Sequence, residues 1–186
     1  TDLSDAYLSV IKSLQHAALA VERKLNIDWI EASDLEGDNN SDAWNLLRNA
    51  NGVLVPGGFG DRGIKGKILA AQYARENNVP YLGICLGLQV ATIEFCRNVL
   101  GIKDATSTEF DADAANPAVI FMPEISKTHL GGTMRLGSRP TIFQVDDCVT
   151  KRLYGGHDSR DERQRRRCEV QPVRGEVLEG AGGSVV

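Results

Sequence analysis

The chain has 186 residues, 42% hydrophobic and 25% charged, with a formal net charge of −4. That length is ample for one domain with a real core, and the acidic balance gives no reason to expect nucleic acid or an anionic membrane as partner. No apolar run approaches the roughly 20 residues that span a bilayer. No secretory signal is visible. The four cysteines, Cys85, Cys96, Cys148 and Cys168, contain no Cys-x-x-Cys. This argues against a disulfide framework or a zinc site and for a reducing, cytoplasmic setting.

In chain order, Thr1 to Asn26 is expected to form one long amphipathic helix. Asp2 or Ser4 can cap it, with Tyr7, Leu8, Ile11, Leu14, Ala18, Val21 and Leu25 on its buried face. Ile27 to Ile30 is a short strand candidate, and Glu36 to Ser41 a polar loop. Ser41 caps a helix over Asp42 to Ala50 that turns Trp44, Leu46 and Leu47 inward. Gly52 to Val55 reads as a buried strand that ends in the loop Pro56-Gly-Gly-Phe-Gly-Asp-Arg-Gly63. Four glycines in such a loop imply a backbone that something approaches closely. No Gly-Lys-Ser/Thr follows, so it is not a Walker loop. A helix over Ile64 to Asn77 comes next.

Val79 to Ile84 is an apolar run of the kind a parallel sheet buries. It leads into Gly83-Ile-Cys85-Leu-Gly87, and apolar residues then continue at helical spacing to Leu100. Strand, Gly-x-Cys-x-Gly and helix together make a nucleophile elbow with cysteine in the place of serine. The thiol stands at a helix N-terminus, where the dipole favours thiolate, and the Leu86 N–H is placed to bind an oxyanion. Alternating strands and helices predict an α/β fold with a mostly parallel sheet flanked by helices. Ligands of such sheets bind at the carboxyl ends of the strands, where the Gly57-Gly58 loop and Cys85 both fall.

Beyond Gly101 the pattern changes. Ala105 to Phe110 is short and polar, and Ala118 to Met122 is a strand candidate. Gly132 to Leu136 and Thr141 to Val145 are expected to pair as a hairpin around Gly137-Ser-Arg-Pro140. Cys148 to Tyr154 reads as a short helix, Asp158 to Arg167 as a solvated charged face, and Gln171 to Val186 as a weak helix with a frayed, glycine-rich end. One domain over 1–186 is expected.

On these residues the chain resembles the C-terminal, class I (triad-type) glutamine amidotransferase domain of the CTP synthase family. The resemblance is carried by Leu3 to Val10, Pro56 to Gly63, Gly83-Ile-Cys-Leu-Gly-Leu-Gln89, Ala105-Thr-Ser-Thr-Glu-Phe110, Met122-Pro-Glu124 and Gly131-Gly-Thr-Met-Arg-Leu-Gly137. It implies a flavodoxin-like class I amidotransferase fold. It also implies that Cys85 attacks L-glutamine and forms a thioester, with the N–H groups of Gly58 and Leu86 as oxyanion donors. Gly87 and Leu88 belong to the same turn, Gln89 and Glu109 match glutamine-binding positions, and Arg167 matches the arginine that holds the α-carboxylate. No metal or cofactor is implied in this domain. In the family an N-terminal synthetase domain uses ATP and Mg²⁺ to aminate UTP to CTP with the released ammonia. GTP activates allosterically in the region of Phe59 to Gly63, and the proteins form homo-oligomers.

The chain departs from this pattern in three places. A cysteine nucleophile needs a base, in this family a His-Pro-Glu near the C-terminus, and the sequence contains none. Its three histidines, His16, His129 and His157, read as structural or solvated. The family carries His where this chain has Gln164 and Arg166, and Tyr where it has Cys168. The strand expected before Thr1 is also missing. The expectation is therefore a domain truncated at both ends, with its binding residues largely present and its base absent. A non-catalytic fragment that associates with intact synthase is the alternative. Another cysteine-elbow hydrolase or peptidase is disfavoured, because Glu109 and the Gly132-to-Gly137 motif have no role there.

Overall fold

The computed structural model describes residues 4–122, 136–164 and 166–172, which fall in two compact units, Thr1–Glu94 and Phe95–Val186. In the first unit a 3-10 turn, Ser4–Tyr7, leads into α1 (Leu8–Ala20). The helix is shorter than its pattern suggested, and its N-cap residue is Tyr7, with no side-chain cap. It closes where the Arg23 N–H donates to Ala18 O and Glu22 takes a φ of +52°. No residue of α1 is buried, and Leu8 and Leu19 are 53% and 78% exposed. Periodicity sorts residues onto one face of a helix, but burying that face needs an opposing surface. Ile27 to Ile30 forms no strand. A strand requires a ladder partner for its N–H and C=O groups, and none pairs with it among the described residues. Trp29 instead rests against Tyr7, with ring centroids 6.1 Å apart.

A second 3-10 turn, Ala32–Glu36, precedes α2 (Asp42–Asn49). Ser41 caps α2 as expected, its hydroxyl accepting from the Trp44 N–H at 3.4 Å. Trp44 and Leu47, three apart on one face, enter a small core with Leu35 and Ala70. Leu46 lies off that face and is 40% exposed, contrary to expectation. β1 (Val53–Val55) and β2 (Tyr81–Gly83) pair in parallel, Val53 opposite Tyr81 and Val55 opposite Gly83. α3 (Ile64–Glu76) connects them. Glu36 caps α3 from outside, Oε1 accepting from the Gly66 N–H at 3.1 Å. α4 (Leu86–Asn98) follows β2 and contributes residues to both units.

The second unit carries β3 (Thr106–Ser107), β4 (Pro117–Phe121), β5 (Gly137–Ile142), α5 (Val149–Leu153), β6 (Ser159–Gln164) and β7 (Cys168–Val170). β4 lies between a parallel β3 and an antiparallel β7. β5 and β6 form a separate antiparallel ribbon, from Gly137 opposite Gln164 to Ile142 opposite Ser159. The expected hairpin is thereby corrected. Gly137 to Pro140 is strand rather than turn, and its partner is the charged run expected to be only a solvated face. Both strands are mostly exposed, so no alternation of apolar residues marked the pairing. The helix after Cys148 is present, the Cys148 sulfur accepting from the Lys151 N–H.

The α/β class is as expected, and two of the four strand pairings among the described residues are parallel. No helix among those residues is long and apolar enough to cross a membrane. Residues 131–135 of the glycine-rich motif, Pro123-Glu124, His129 and the expected frayed end from 173 onward lie outside the described residues.

Candidate active site

The first unit builds a strand–turn–helix elbow around Cys85. β2 ends at Gly83, α4 begins at Leu86, and Cys85 between them has a φ of +55°. A non-glycine residue held there costs about 1–2 kcal/mol, so the surrounding structure must enforce it. Two close approaches do so. A Cβ on Gly83 would lie 2.5 Å from the Gly87 carbonyl, and one on Gly87 would lie 2.0 Å from Val55 O. Only glycine at both positions lets the first turn of α4 sit against the strands. Hydrogen bonds complete the elbow. The Ile84 N–H donates to Val55 O at 2.9 Å, the Gly87 N–H to Ile84 O at 3.0 Å and the Gln89 N–H to Cys85 O at 3.1 Å. The Tyr81 hydroxyl donates to Gly87 O at 2.8 Å. Burial, with the nearby Glu94 charge adding to it, holds that phenol well above its ordinary value.

The glycine loop after β1 runs beside the nucleophile. A Cβ on Gly57 would be 3.4 Å from Cys85 Cβ, and one on Gly58 3.4 Å from Leu86 Cδ2. Cys85 is half-buried, as are Gly57, Gly58 and Leu88, whereas Leu86, Gly87 and Gln89 are buried. Leu86 is the first residue of α4, so its N–H has no acceptor within the helix. An anion against Cys85 would meet that amide and the positive end of the helix dipole. Behind the elbow, α4 is tied to α3 by Arg75, whose Nη2 and Nε lie 2.7 and 3.0 Å from the Glu94 carboxylate oxygens.

The second unit gathers the other two predicted binding residues on one sheet. Glu109 follows β3 in a turn fixed by Ser107, whose hydroxyl accepts from the Glu109 N–H at 3.2 Å. Arg167 leads into β7, and its carbonyl accepts from the Met122 N–H at 3.0 Å. The next residue, Cys168, is buried and directs its thiol to Glu109 Oε2 at 3.4 Å. His16 on α1 and His157 in the turn after α5 are both exposed. Among the described residues no cluster of His, Cys, Asp and Glu could hold a metal ion. Sequence reasoning missed the parts played by Tyr81, Ser107 and Cys168. Only Cys168 carried a signal, its place beside Arg167.

The chain is similar to known proteins along nearly all its length. The family model for glutamine amidotransferase class-I matches residues 2–181. CTP synthase of Dictyostelium discoideum is 57% identical over 92% of this chain, and that of Eremothecium gossypii is 54% identical over 98%. The chain spans about a third of the length of these curated relatives, 32% and 34%. A solved Trypanosoma brucei CTPS glutaminase domain with bound acivicin superposes with a TM-score of 0.88 at 38% identity, covering 97% of this chain and 68% of that one. A strand–Cys–helix elbow beside a glycine loop, on a chain matched this fully, is one member's version of a shared design: the chain belongs to the class-I glutamine amidotransferase family.

Proposed function

We propose that this chain is the glutamine-hydrolysing part of a CTP synthase, with Cys85 as nucleophile. The observation that carries the reading is the +55° φ of Cys85 between β2 and α4, beside Gly57 and Gly58. The Cys85 sulfur attacks the carboxamide carbon of L-glutamine, and the N–H groups of Leu86 and Gly58 receive the oxyanion. The C–N bond then breaks, ammonia leaves with the proton given up by the thiol, and a γ-glutamyl thioester remains for water to hydrolyse. Following the family resemblance, Glu109 receives the α-ammonium, Arg167 the α-carboxylate, and Gln89 also contacts the glutamine. In the complete protein the ammonia serves ATP- and Mg²⁺-dependent amination of UTP on a synthetase domain, in a GTP-activated, cytoplasmic homo-oligomer.

These 186 residues contain no His-Pro-Glu, and the two described histidines are exposed. We expect these 186 residues by themselves to turn over glutamine several orders of magnitude more slowly than a complete triad does, as on loss of a triad member elsewhere. Incubating the purified chain with glutamine should release ammonia at or near the Cys85→Ala background. Acivicin, an electrophilic glutamine analogue, should nonetheless label Cys85, with glutamine protecting it. Labelling that glutamine does not slow would overturn the glutamine site. Brisk ammonia release lost in Cys85→Ala would show that the base lies within the chain.

A second reading is a non-catalytic chain that associates with intact synthase. The exposed Leu8, Leu19 and Val21 fit it. Co-purification with full-length synthase would support this reading, and elution as separate species would remove it.

A further inference from the structure

We propose that Tyr81 is a positioning residue for the nucleophile, its hydroxyl bracing the Cys85 elbow through the Gly87 carbonyl. The proposal rests on Cys85 being the nucleophile. Among the bonds described at the elbow, those of Ile84, Gly87 and Gln89 are backbone bonds that any residues could make. The Tyr81 side chain adds a bond of its own at 2.8 Å. It ties the first residue of β2 to the first turn of α4 and closes a ring around residues 82–86. The strained residue lies inside that ring, together with the Leu86 N–H.

The geometry makes the brace specific. Gly87 has no side chain of its own, and Val55 O blocks one. Its carbonyl therefore offers a point where a side chain from β2 can grip the helix. The Tyr81 ring is half-buried, which limits its alternatives. Burial keeps the phenol protonated, and so a donor, across the working pH range. Without the brace, Cys85 can relax from its positive φ by turning the first turn of α4. The thiolate would then lose its alignment with the helix N-terminus, and the Leu86 N–H would leave the oxyanion position. Tyr81 touches neither substrate nor sulfur in this scheme. It acts through the backbone.

The test uses the full chain and Tyr81→Phe, which keeps the ring and removes the hydroxyl. Iodoacetamide labelling is followed at each cysteine by mass spectrometry across pH. Cys96 and Cys168 are buried and report general loosening, while half-buried Cys148 is an internal reference. The expected result is a fall in Cys85 labelling at neutral pH of about five-fold or more, the size set by one lost hydrogen bond. The pH midpoint of Cys85 should move upward, with Cys148 unchanged and Cys96 and Cys168 still protected. Cys85 labelling within a factor of about two of the parent chain is too small for a lost hydrogen bond and overturns the proposal. So does a fall accompanied by labelling of Cys96 and Cys168, which marks Tyr81 as structural only. If Cys85 of the parent chain reacts no faster than glutathione, the nucleophile assignment itself fails, and this is seen before the variant is made.

Discussion

The Cys168 thiol and the Glu109 carboxylate meet at 3.4 Å, 59 residues apart in sequence. The antiparallel pairing of β4 with β7 sets Cys168 opposite Phe121, while β3, on the other side of β4, leads into the Glu109 turn. A thiol is a weak donor, so the bond is worth roughly 1 kcal/mol. On the proposed role of Glu109 as a glutamine-binding residue, Cys168→Ala should raise the glutamine concentration that protects Cys85 from acivicin about five-fold, and Cys168→Ser should leave it near the parent value. Equal protection in all three chains would show that the Cys168–Glu109 contact has no bearing on glutamine binding.

Arg75 and Glu94 lock α3 to α4. The Glu94 side chain is 3% exposed and that of Arg75 34%. The bond to Glu94 raises the Arg75 pKa above its ordinary value. Arg75→Leu takes its ion-pair partner from a buried carboxylate, and the partial exposure of Arg75 holds the cost to about 2–3 kcal/mol. Urea unfolding should show that loss. The Arg75→Leu/Glu94→Leu double variant should recover most of it, because the buried carboxylate is then gone and the Glu76 that also pairs with Arg75 is half exposed.

Two glycines near the elbow should respond very differently to alanine. A Cβ on Gly87 would sit 2.0 Å from Val55 O, a backbone atom that cannot step aside. Gly87→Ala should cost at least about 3 kcal/mol by forcing α4 away from β1. Gly60 has a φ of +79° and open space around it, so Gly60→Ala should cost only about 1–2 kcal/mol, from backbone strain alone. Urea midpoints of the two variants give the comparison.

Lys151, 7% exposed, donates to Asp146 at 2.8 Å and Asp158 at 2.7 Å. Hydrogen bonds to both carboxylates raise the lysine pKa, and the bond from Lys151 holds Asp158 below its ordinary 3.8. Stability from Asp158 is present above that ordinary value and is lost as pH falls through the depressed one. Stability from Lys151 is complete below 10.5 and is lost as pH rises through the raised value. The difference in urea midpoint between the parent chain and Lys151→Met should be largest from mildly acidic to mildly basic pH and shrink in strong acid. Molar salt should shrink it too, since both aspartates stand in water.

The elbow was legible because its signals are local. Gly83 and Gly87 around Cys85, an apolar strand before and a helical repeat after are all written within a few turns of chain. The Ser41 cap was legible for the same reason. The β5–β6 ribbon was not. Its strands carry Arg160, Asp161, Glu162 and Arg163, face water, and pair across the intervening α5. A ribbon without a buried face leaves no period-two mark.

Local spacing and backbone freedom are enough to say which residues could form an elbow, where the glycine loop falls and which side of each helix is apolar. Whether each face meets a partner depends on long-range packing. The apolar stripe of α1 is at most half-buried, and Ile27 to Ile30 finds no ladder partner among the described residues. Long-range packing also decided that Cys168 reaches Glu109 and that Tyr81 reaches back to Gly87. Such contacts depend on strand register and on the path of a turn, and neither is encoded in the spacing of the residues that finally touch.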